Sequence, residues 1–292
     1  MLLNKHGSFY IRNGWPTKII DGIQKEKHIF SPNNELTAVD ELGVGRVMVK
    51  AMRYWAQVLG LSVEEKTQQG IANILTPLAN LIIKYDVYCQ KVGTLWLLHR
   101  ILATNKDEAT AWYWTFNIYA GKTFTKDEFV EAFNLYVERE GDRYVRRAIE
   151  KEFDCFKNTY VSDKDFSVEK ILEEDTIPFF APLKLLEYYS GGVFAKRKIR
   201  ANDIPEEILL YCIIADNEEF LKNNTQISLE RLQEEENQIG KYANLTYAVL
   251  LELLQKLENK KYIKLYNNFG TRYIEIVQFD KDLILANYYE NN

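Results

Sequence analysis

The sequence predicts a mainly α-helical protein with winged-helix units near both ends and an aromatic-rich helical core between them. Three observations lead to this prediction. Near the N-terminus, a glycine turn at residues 43–45 separates a short helical stretch from a longer amphipathic one. A hairpin pattern follows, and a similar order of helices and hairpin recurs near the C-terminus. We therefore expect an N-terminal unit at residues 1–85, a helical core at 86–200 and a C-terminal unit at 201–292.

The helix predicted at residues 44–59 has two different faces. At about 100° per residue, its apolar side chains gather on one side and a cationic, hydrogen-bonding set gathers on the other. The apolar set is Val44, Met48, Ala51, Met52, Trp55 and Leu59. The opposite set is Arg46, Lys50, Arg53 and Gln57, with no acidic residue interleaved. This combination is typical of a DNA recognition helix, and the alternative is an ordinary solvated face.

A short helix at residues 36–42 precedes this glycine turn, and a β-hairpin is predicted directly after the longer helix. Strands at residues 59–63 and 71–75 flank a polar turn, which makes the hairpin a candidate wing. Lys66 and Gln68 belong to the predicted tip and are candidate contacts to the DNA backbone or minor groove. Thr76 and Pro77 then have the preferences of an N-cap and a first helical residue.

Residues 77–160 are predicted to be mostly helical and to form the aromatic core. The stretch 94–102 is apolar nearly all round, which indicates a buried helix. The aromatic stretch 112–116 lacks interleaved Arg or Lys, so we interpret it as core rather than as a base-stacking platform. Thr125 and Glu128 have the spacing of a capping box. Basic residues at 143–151 share their predicted helix with acidic ones, which favours a salt-bridged surface.

The region after the core is less regular. The polar residues 162–175 are predicted to connect two parts of the chain. A helix is expected to follow Pro178 and Pro182 and to end at the glycine pair 191–192. The basic run 195–200 is interpreted as a solvated loop, with a phosphate contact as the alternative.

The C-terminal region is predicted to contain helices at residues 205–215, 228–235 and 245–259, followed by a hairpin at 260–277. The exposed stripe of the third helix includes Glu252, which is unfavourable beside phosphate. The basic residues of this unit lie instead on its loop and hairpin. Its candidate DNA contacts are Lys241, Lys264 and Arg272. A protein partner fits this unit equally well.

The net charge of −5 is unevenly distributed along the chain. Residues 1–60 hold eight Lys or Arg against five Asp or Glu, and residues 241–277 hold six against three. Residues 201–240 hold two against ten. A phosphate backbone would be attracted to the two ends and repelled by this acidic stretch. With no apolar run of eighteen or more residues and no signal peptide, we expect a cytoplasmic protein without a membrane span.

The sequence contains no recognisable catalytic or metal-binding motif. Cys89, Cys155 and Cys212 lie far apart, so we expect reduced core residues rather than a metal site or a disulfide. His6 and Ser8 have no acidic residue at an informative spacing. His99, in an apolar setting, is predicted to be a hydrogen-bonded core histidine. We therefore expect no cofactor, and an enzyme would require titratable groups gathered in one pocket.

The chain resembles the bacterial and archaeal family catalogued as domain of unknown function 4007 along nearly its whole length. The residues that carry this resemblance are His6 to Trp15, Leu42 to Gly45, Met48, Arg53 to Trp55, Thr94 to Leu98, Trp112 to Trp114, and Gly270 in the second hairpin. The chain has His6-Gly7-Ser8 where the family usually has glycine-histidine-glutamate. The family supplies no catalytic residues to carry over.

Members of this family are often encoded beside genes for DNA phosphorothioation and other anti-phage systems. The resemblance therefore implies a DNA-facing or accessory role in a defence system. The leading hypothesis is a non-catalytic protein that binds double-stranded DNA through its N-terminal winged helix. The alternative is an adaptor that assembles a defence complex without binding DNA, using the acidic stretch and the C-terminal unit to contact other defence-system proteins.

Overall fold

The computed structural model describes residues 1–161, 177–268 and 270–291. Within these residues the chain is mainly α-helical and has three small antiparallel sheets, so the predicted fold class is confirmed at this level. The chain divides into two compact units. The first contains residues 1–114 and 121–195, and the second contains residues 115–120 and the chain from residue 196 onward. Residues 86–114 are therefore grouped with the N-terminal residues.

The first unit begins with three helices and a hairpin. These elements are α1 (Trp15–Lys25), α2 (Glu35–Leu42), α3 (Arg46–Val58), β1 (Ser62–Thr67) and β2 (Gly70–Leu75). Gly43 ends α2 with a φ of 63°, a left-handed conformation that glycine adopts without steric strain. The predicted hairpin is present, but β1 begins three residues later and ends four residues later than expected. Its turn is only Gln68 and Gln69, so Lys66 lies in β1 rather than at the tip.

The remaining helices of the first unit enclose its aromatic core. They are α4 (Pro77–Tyr85), α5 (Val92–Thr104), α6 (Thr110–Tyr113), α7 (Lys126–Arg139) and α8 (Arg146–Tyr160), with strand β3 (Thr123–Thr125) before α7. The two predicted caps are confirmed, since the side chain of Thr76 accepts the Ala79 N–H and that of Thr125 accepts the Glu128 N–H. Each cap pairs a backbone donor that the first helical turn leaves unpaired.

The aromatic stretch at residues 112–116 is buried, which confirms the prediction that it belongs to the core. Trp114 packs edge-on against Phe129, with ring centroids 5.2 Å apart. His99 is also fully buried, and its Nδ1 lies 2.9 Å from the hydroxyl oxygen of Tyr160. The predicted core histidine is therefore confirmed. All three cysteines are buried and unbridged, as expected.

The prediction of a helix before the glycine pair at 191–192 is wrong. This segment forms strands β4 (Leu186–Tyr189) and β5 (Val193–Lys196), and β5 lies between β3 and β4 in one sheet. Gly191 and Gly192 form the turn, with φ values of 86° and 81°. Two glycines with positive φ suit a hairpin turn as well as a helix end, and the flanking residues are too few to distinguish the two. The predicted connection at residues 162–175 lies outside the described residues.

The basic run at residues 195–200 is not the solvated loop that the sequence suggested. Lys196 ends β5, and its half-buried amine donates to the carbonyl oxygens of Thr115 and Tyr119. Arg197 forms an ion pair with Asp203 at 3.1 Å. Internal partners therefore occupy these cations. Thr115 and Tyr119 lie about 80 residues before Lys196, so the sequence does not show them to be its neighbours.

A second basic stretch, at residues 143–151 of the first unit, is only partly helical. Arg143 precedes α8 instead of belonging to it. Arg146, the first residue of α8, pairs with Asp127 at 2.5 Å and with Glu150 at 3.0 Å. The interpretation as a salt-bridged surface is confirmed for Arg146.

The second unit contains helices packed on one three-stranded sheet. Its elements are α9 (Glu206–Asp216), α10 (Glu218–Leu221), β6 (Gln226–Ser228), α11 (Leu229–Glu234), α12 (Ile239–Tyr242), α13 (Tyr247–Asn259), β7 (Ile263–Asn268), β8 (Thr271–Ile276) and α14 (Lys281–Asn291). The predicted hairpin of β7 and β8 is confirmed, and β6 pairs with the other edge of β8. With three residues, β6 is too short to show a strand pattern in the sequence.

A buried polar pair joins the N-terminal segment to α8. His6 is fully buried, and its Nε2 lies 3.1 Å from Oε2 of Glu152. The Ser8 N–H donates to Nδ1 of His6, so Nε2 is the nitrogen that donates to the carboxylate. Glu152 also accepts the backbone N–H of Asn4. The acid partner that local spacing did not reveal is therefore 146 residues away, and its role is to anchor the chain terminus.

We predict that His6→Ala lowers the free energy of unfolding by about 3–5 kcal/mol, because it leaves the buried Glu152 carboxylate without its imidazole partner and with the Asn4 N–H still donating to it. Urea denaturation measures this change. Ser8→Ala is the matched control, since it removes only an exposed hydroxyl and should change stability by about 0.5 kcal/mol or less. Equal denaturation midpoints for the two variants would contradict the prediction.

A second prediction concerns Lys196. Burial, together with charge repulsion from Lys198 and Lys241, lowers the pKa of its amine to about 8. The unfolded chain keeps this proton to higher pH, so the contribution of Lys196 to stability rises between about pH 8 and 10.5.

Lys196→Met removes that titration. The free energy of unfolding of the variant relative to the native protein should therefore be higher at pH 7.5 than at pH 10 by roughly 2 kcal/mol. Urea denaturation at both pH values tests this, with Lys222→Met as an exposed control in the same unit. An equal difference at the two pH values would refute the prediction.

Candidate nucleic-acid interface

The apolar face of α3 is packed as the sequence predicts. Ala51, Met52 and Trp55 are buried, while Val44 and Met48 are half-buried. The indole N–H of Trp55 donates to the carbonyl oxygen of Phe9 at 2.9 Å. Such an acceptor stabilises a buried indole N–H, so this bond favours the observed rotation of α3 about its axis.

The first turns of α3 expose two cations on the opposite face. The side chains of Arg46 and Lys50 are 63% and 75% exposed. The Nε of Arg46 lies 3.9 Å and the Nζ of Lys50 lies 3.7 Å from the carboxylate of Glu35 on α2. Exposed pairs at such distances contribute little to stability. Arg46 and Lys50 can therefore exchange Glu35 for an incoming phosphate at little energetic cost.

Arg53 and Gln57, farther along α3, are held by one carboxylate. The Nε and Nη2 of Arg53 donate to the two oxygens of Glu64 at 2.5 and 2.7 Å. The Nε2 of Gln57 donates to Oε1 of the same carboxylate at 2.5 Å. The hydrogen bonds to Glu64 raise the pKa of Arg53. We call this arrangement of Arg53, Gln57 and Glu64 the carboxylate clamp.

The exposed face of α3 is not purely cationic, although the sequence alone suggested that it was. In the sequence the cationic stripe contains no acid, but the fold brings Glu35 from α2 and Glu64 from β1 beside it. Glu64 lies eleven residues after Arg53, on a strand whose residues 64–67 were predicted from the sequence to lie in a turn. Extending that strand would have placed Glu64 on the same face as Ser62, which is buried.

Two predicted wing residues remain beside this face. Lys66 lies two positions after Glu64 on β1, so both side chains are on the same face of the hairpin. Gln68 lies in the turn, and both Lys66 and Gln68 are exposed. The structure therefore brings Lys66 to the side of the hairpin that carries the clamp.

A cavity of about 330 Å³ adjoins the same surface. Its lining is Ile29, Phe30, Ser31, Pro32, Glu35, Val49, Lys50 and Arg53. The floor is apolar, and the charged groups belong to the pairs already described.

The candidate residues of the second unit are arranged differently. Lys241 forms an ion pair with Glu234 at 3.1 Å. Lys264 is exposed on β7, whereas the guanidinium of Arg272 on β8 lies 6.0 Å from the ring centre of Tyr247. The strand register places Lys264 and Arg272 on opposite faces of their hairpin. The second unit therefore does not gather its predicted contacts into one patch.

The cations Lys256 and Lys260, at the C-terminal end of α13 and just beyond it, are paired with acidic residues of α9. Lys260 donates to Glu206 at 2.8 Å and to Glu207 at 2.7 Å. Lys256 lies 3.7 Å from Glu206. Like α3, α13 is the helix that directly precedes a hairpin, but its cations are paired with acidic side chains.

Two further findings bear on the class of protein. Within residues 1–161, 177–268 and 270–291, no group of three or more His, Cys, Asp or Glu side chains is close enough to hold a metal ion. Across the same residues, no helix combines the length and apolar character needed to cross a bilayer.

Together these features define a mainly helical protein with a cationic helix-and-hairpin surface. The chain belongs to the family described as protein of unknown function (DUF4007), whose model matches residues 3–289. The resemblance found in the sequence is therefore confirmed.

Two solved structures share this fold. The structure described as magnesium ion-bound SspB aligns with a TM-score of 0.84 at 23% identity, covering 99% of this chain and 88% of that chain. A second SspB crystal structure aligns with a TM-score of 0.81 at 24% identity and the same coverage. None of the curated proteins matches this chain.

We predict that Arg53 and Glu64 are energetically coupled. A double-mutant cycle with Arg53→Met and Glu64→Gln should give a coupling free energy of about 1–2 kcal/mol, because the pair is bidentate and only partly exposed. Urea denaturation of the four proteins provides the measurement. The cycle of Lys50→Met and Glu35→Gln is the control and should give about 0.5 kcal/mol or less. Similar coupling in the two cycles would contradict this account of the clamp.

Proposed function

We propose that this protein binds double-stranded DNA without catalysing a reaction, and that its first three helices and first hairpin act as a winged-helix unit. The observation that carries the proposal is the exposure of Arg46 and Lys50 on a helix whose other face is packed. Their weak pairing with Glu35 leaves both cations available for phosphate.

The dimensions of the elements suit this role. A helix of thirteen residues, as α3 is, has a length of about 20 Å. The DNA major groove is about 12 Å wide and admits one helix. A hairpin that follows such a helix lies where it can contact the adjacent backbone. The order α1, α2, α3, β1, β2 is therefore compatible with the docking of a winged helix.

The role proposed for each side chain follows from its exposure and from how firmly it is paired. Arg46 and Lys50 are mobile enough to contact phosphates. Arg53 is held by Glu64, and its remaining N–H groups suit the O6 and N7 atoms of guanine. Gln57 has the groups that pair with adenine. Lys66 would contact the backbone beside the groove, as would Gln68 at the turn.

We further propose that the protein is an accessory or regulator of a bacterial DNA-modification or phage-defence system. This part rests on the family to which the chain belongs and on the genes that often neighbour family members. The helix-and-hairpin surface supports it independently, because a DNA-facing accessory protein needs a cationic surface of this kind.

The test compares the duplex affinity of the native protein with that of Arg46→Ala/Lys50→Ala. Fluorescence anisotropy of a labelled duplex, measured over a series of salt concentrations, provides the affinity and its salt dependence. Loss of two phosphate contacts should reduce the slope of log K against log salt by about 1.8. At 0.1 M salt, affinity should fall on the order of tenfold to a hundredfold.

The matched control is Lys106→Ala/Lys222→Ala, which removes the same formal charge. Lys106 and Lys222 are exposed cations in ion pairs with Glu140 and Glu219, away from α3 in the sequence. This control should keep nearly native affinity. Equal affinity of the native protein and the Arg46→Ala/Lys50→Ala variant would refute the proposed function.

A second candidate is an adaptor that assembles a defence complex through the C-terminal unit. The observation in its favour is a set of exposed apolar side chains from the end of β8 to the first turn of α14, together with the internally paired cations at the C-terminal end of α13. The exposed residues are Val277, Phe279 and Leu283. A native protein that binds no duplex at any salt concentration, yet forms a stoichiometric complex with a neighbouring gene product, would favour the adaptor.

A further inference from the structure

We propose that Glu64 is a positioning residue that sets the sequence selectivity of α3 while lowering its affinity for DNA in general. The inference rests on the proposed function, because selectivity has meaning only for a protein that binds DNA. It concerns the carboxylate clamp, in which one acidic side chain holds the two α3 residues best suited to contact bases.

The geometry of the clamp determines which groups remain available. An ionised carboxylate only accepts hydrogen bonds, so Gln57 must turn its NH₂ group toward Glu64. The amide oxygen of Gln57 is then left for another donor. Arg53 uses Nε and Nη2 for Glu64, and the N–H groups of its Nη1 are left for an acceptor. The clamp therefore presents donors and an acceptor in a defined order along α3.

Holding these side chains favours discrimination between bases. A guanidinium that swings freely meets any nearby phosphate, whereas one held beside a groove edge meets only a suitably placed base. The clamp also removes part of the entropy loss of ordering these side chains on binding. The side chains of Arg53 and Glu64 are 32% and 23% exposed, so solvent competes only partly with their hydrogen bonds.

The same carboxylate opposes binding to any duplex. Its negative charge faces the surface on which phosphates would lie, and it neutralises one of the cations of that surface. Glu64 should therefore act in opposite directions on affinity and selectivity. A residue that only supports the fold would lower both properties together, or neither.

The neighbouring residue offers a matched control. Glu65 lies next to Glu64 on β1, so its side chain is on the opposite face of the hairpin, and it is exposed. Glu64→Gln and Glu65→Gln make the same change in net charge one residue apart. Any difference between the two variants therefore reports the clamp and not the net charge.

The experiment begins by selecting the preferred duplex of the native protein from a randomised pool. Dissociation constants are then measured for that duplex and for a scrambled duplex, using the native chain and both variants. We expect Glu64→Gln to bind the scrambled duplex several-fold more tightly, with a salt slope larger by about one as Arg53 gains a phosphate. The ratio of the two dissociation constants should shrink roughly tenfold, within the range that a bidentate base contact supplies. Glu65→Gln should keep the native ratio.

Each other outcome overturns the inference. The inference fails, while the proposed function stands, if Glu64→Gln keeps the native ratio of dissociation constants or loses affinity for both duplexes equally. The same conclusion follows if the native protein has no preferred sequence. If the native protein binds no duplex, both fail. Should Glu64→Gln not fold, Arg53→Lys replaces it. That variant keeps the positive charge but cannot form the bidentate hydrogen bond to Glu64. The ratio of its two dissociation constants should therefore fall, while its affinity for the scrambled duplex is retained.

Discussion

The hydrogen bond from the Trp55 indole to the Phe9 carbonyl is the constraint on which the α3 surface depends. Trp55 is fully buried, and its ring packs edge-on against Trp112 with centroids 5.6 Å apart. A different rotation of α3 would leave the indole N–H unpaired in the core, which is unfavourable. With this rotation set, the helical period places Arg46 and Lys50 in solvent and Arg53 beside β1.

The structure then separates cations by how firmly they are held. Arg46 and Lys50 are exposed and weakly paired with Glu35, whereas Arg53 is held by the two hydrogen bonds of the clamp. In the second unit, a helix at the equivalent place in a similar order of elements directs Lys260 to the acids of α9. There the cations are paired within the unit. Similar orders of elements thus produce surfaces of different electrostatic character, and this difference is why we propose the first unit for DNA.

Most features that depend on neighbours in the sequence were predictable, although the β4–β5 hairpin had been predicted to be a helix. The glycine turn before α3, the Thr76 and Thr125 caps and both predicted hairpins depend on local conformational preferences and periodicity. Features that depend on distant residues were not. The His6 and Glu152 pair joins residues 146 positions apart, and β6 has only three residues. Glu64 was missed because its strand was predicted to end too early. The hypothesis of DNA binding remains a prediction from the α3 face.

Lysine modification of the native protein, measured by mass spectrometry with and without a bound duplex, tests the central claim most directly. It reports which surface the duplex covers, without any substitution. If α3 and its hairpin bind DNA, Lys50 and Lys66 will be modified more slowly in the complex, and Lys222 will be modified at the same rate. A complex in which Lys50 and Lys66 react as fast as in the free protein would contradict the account.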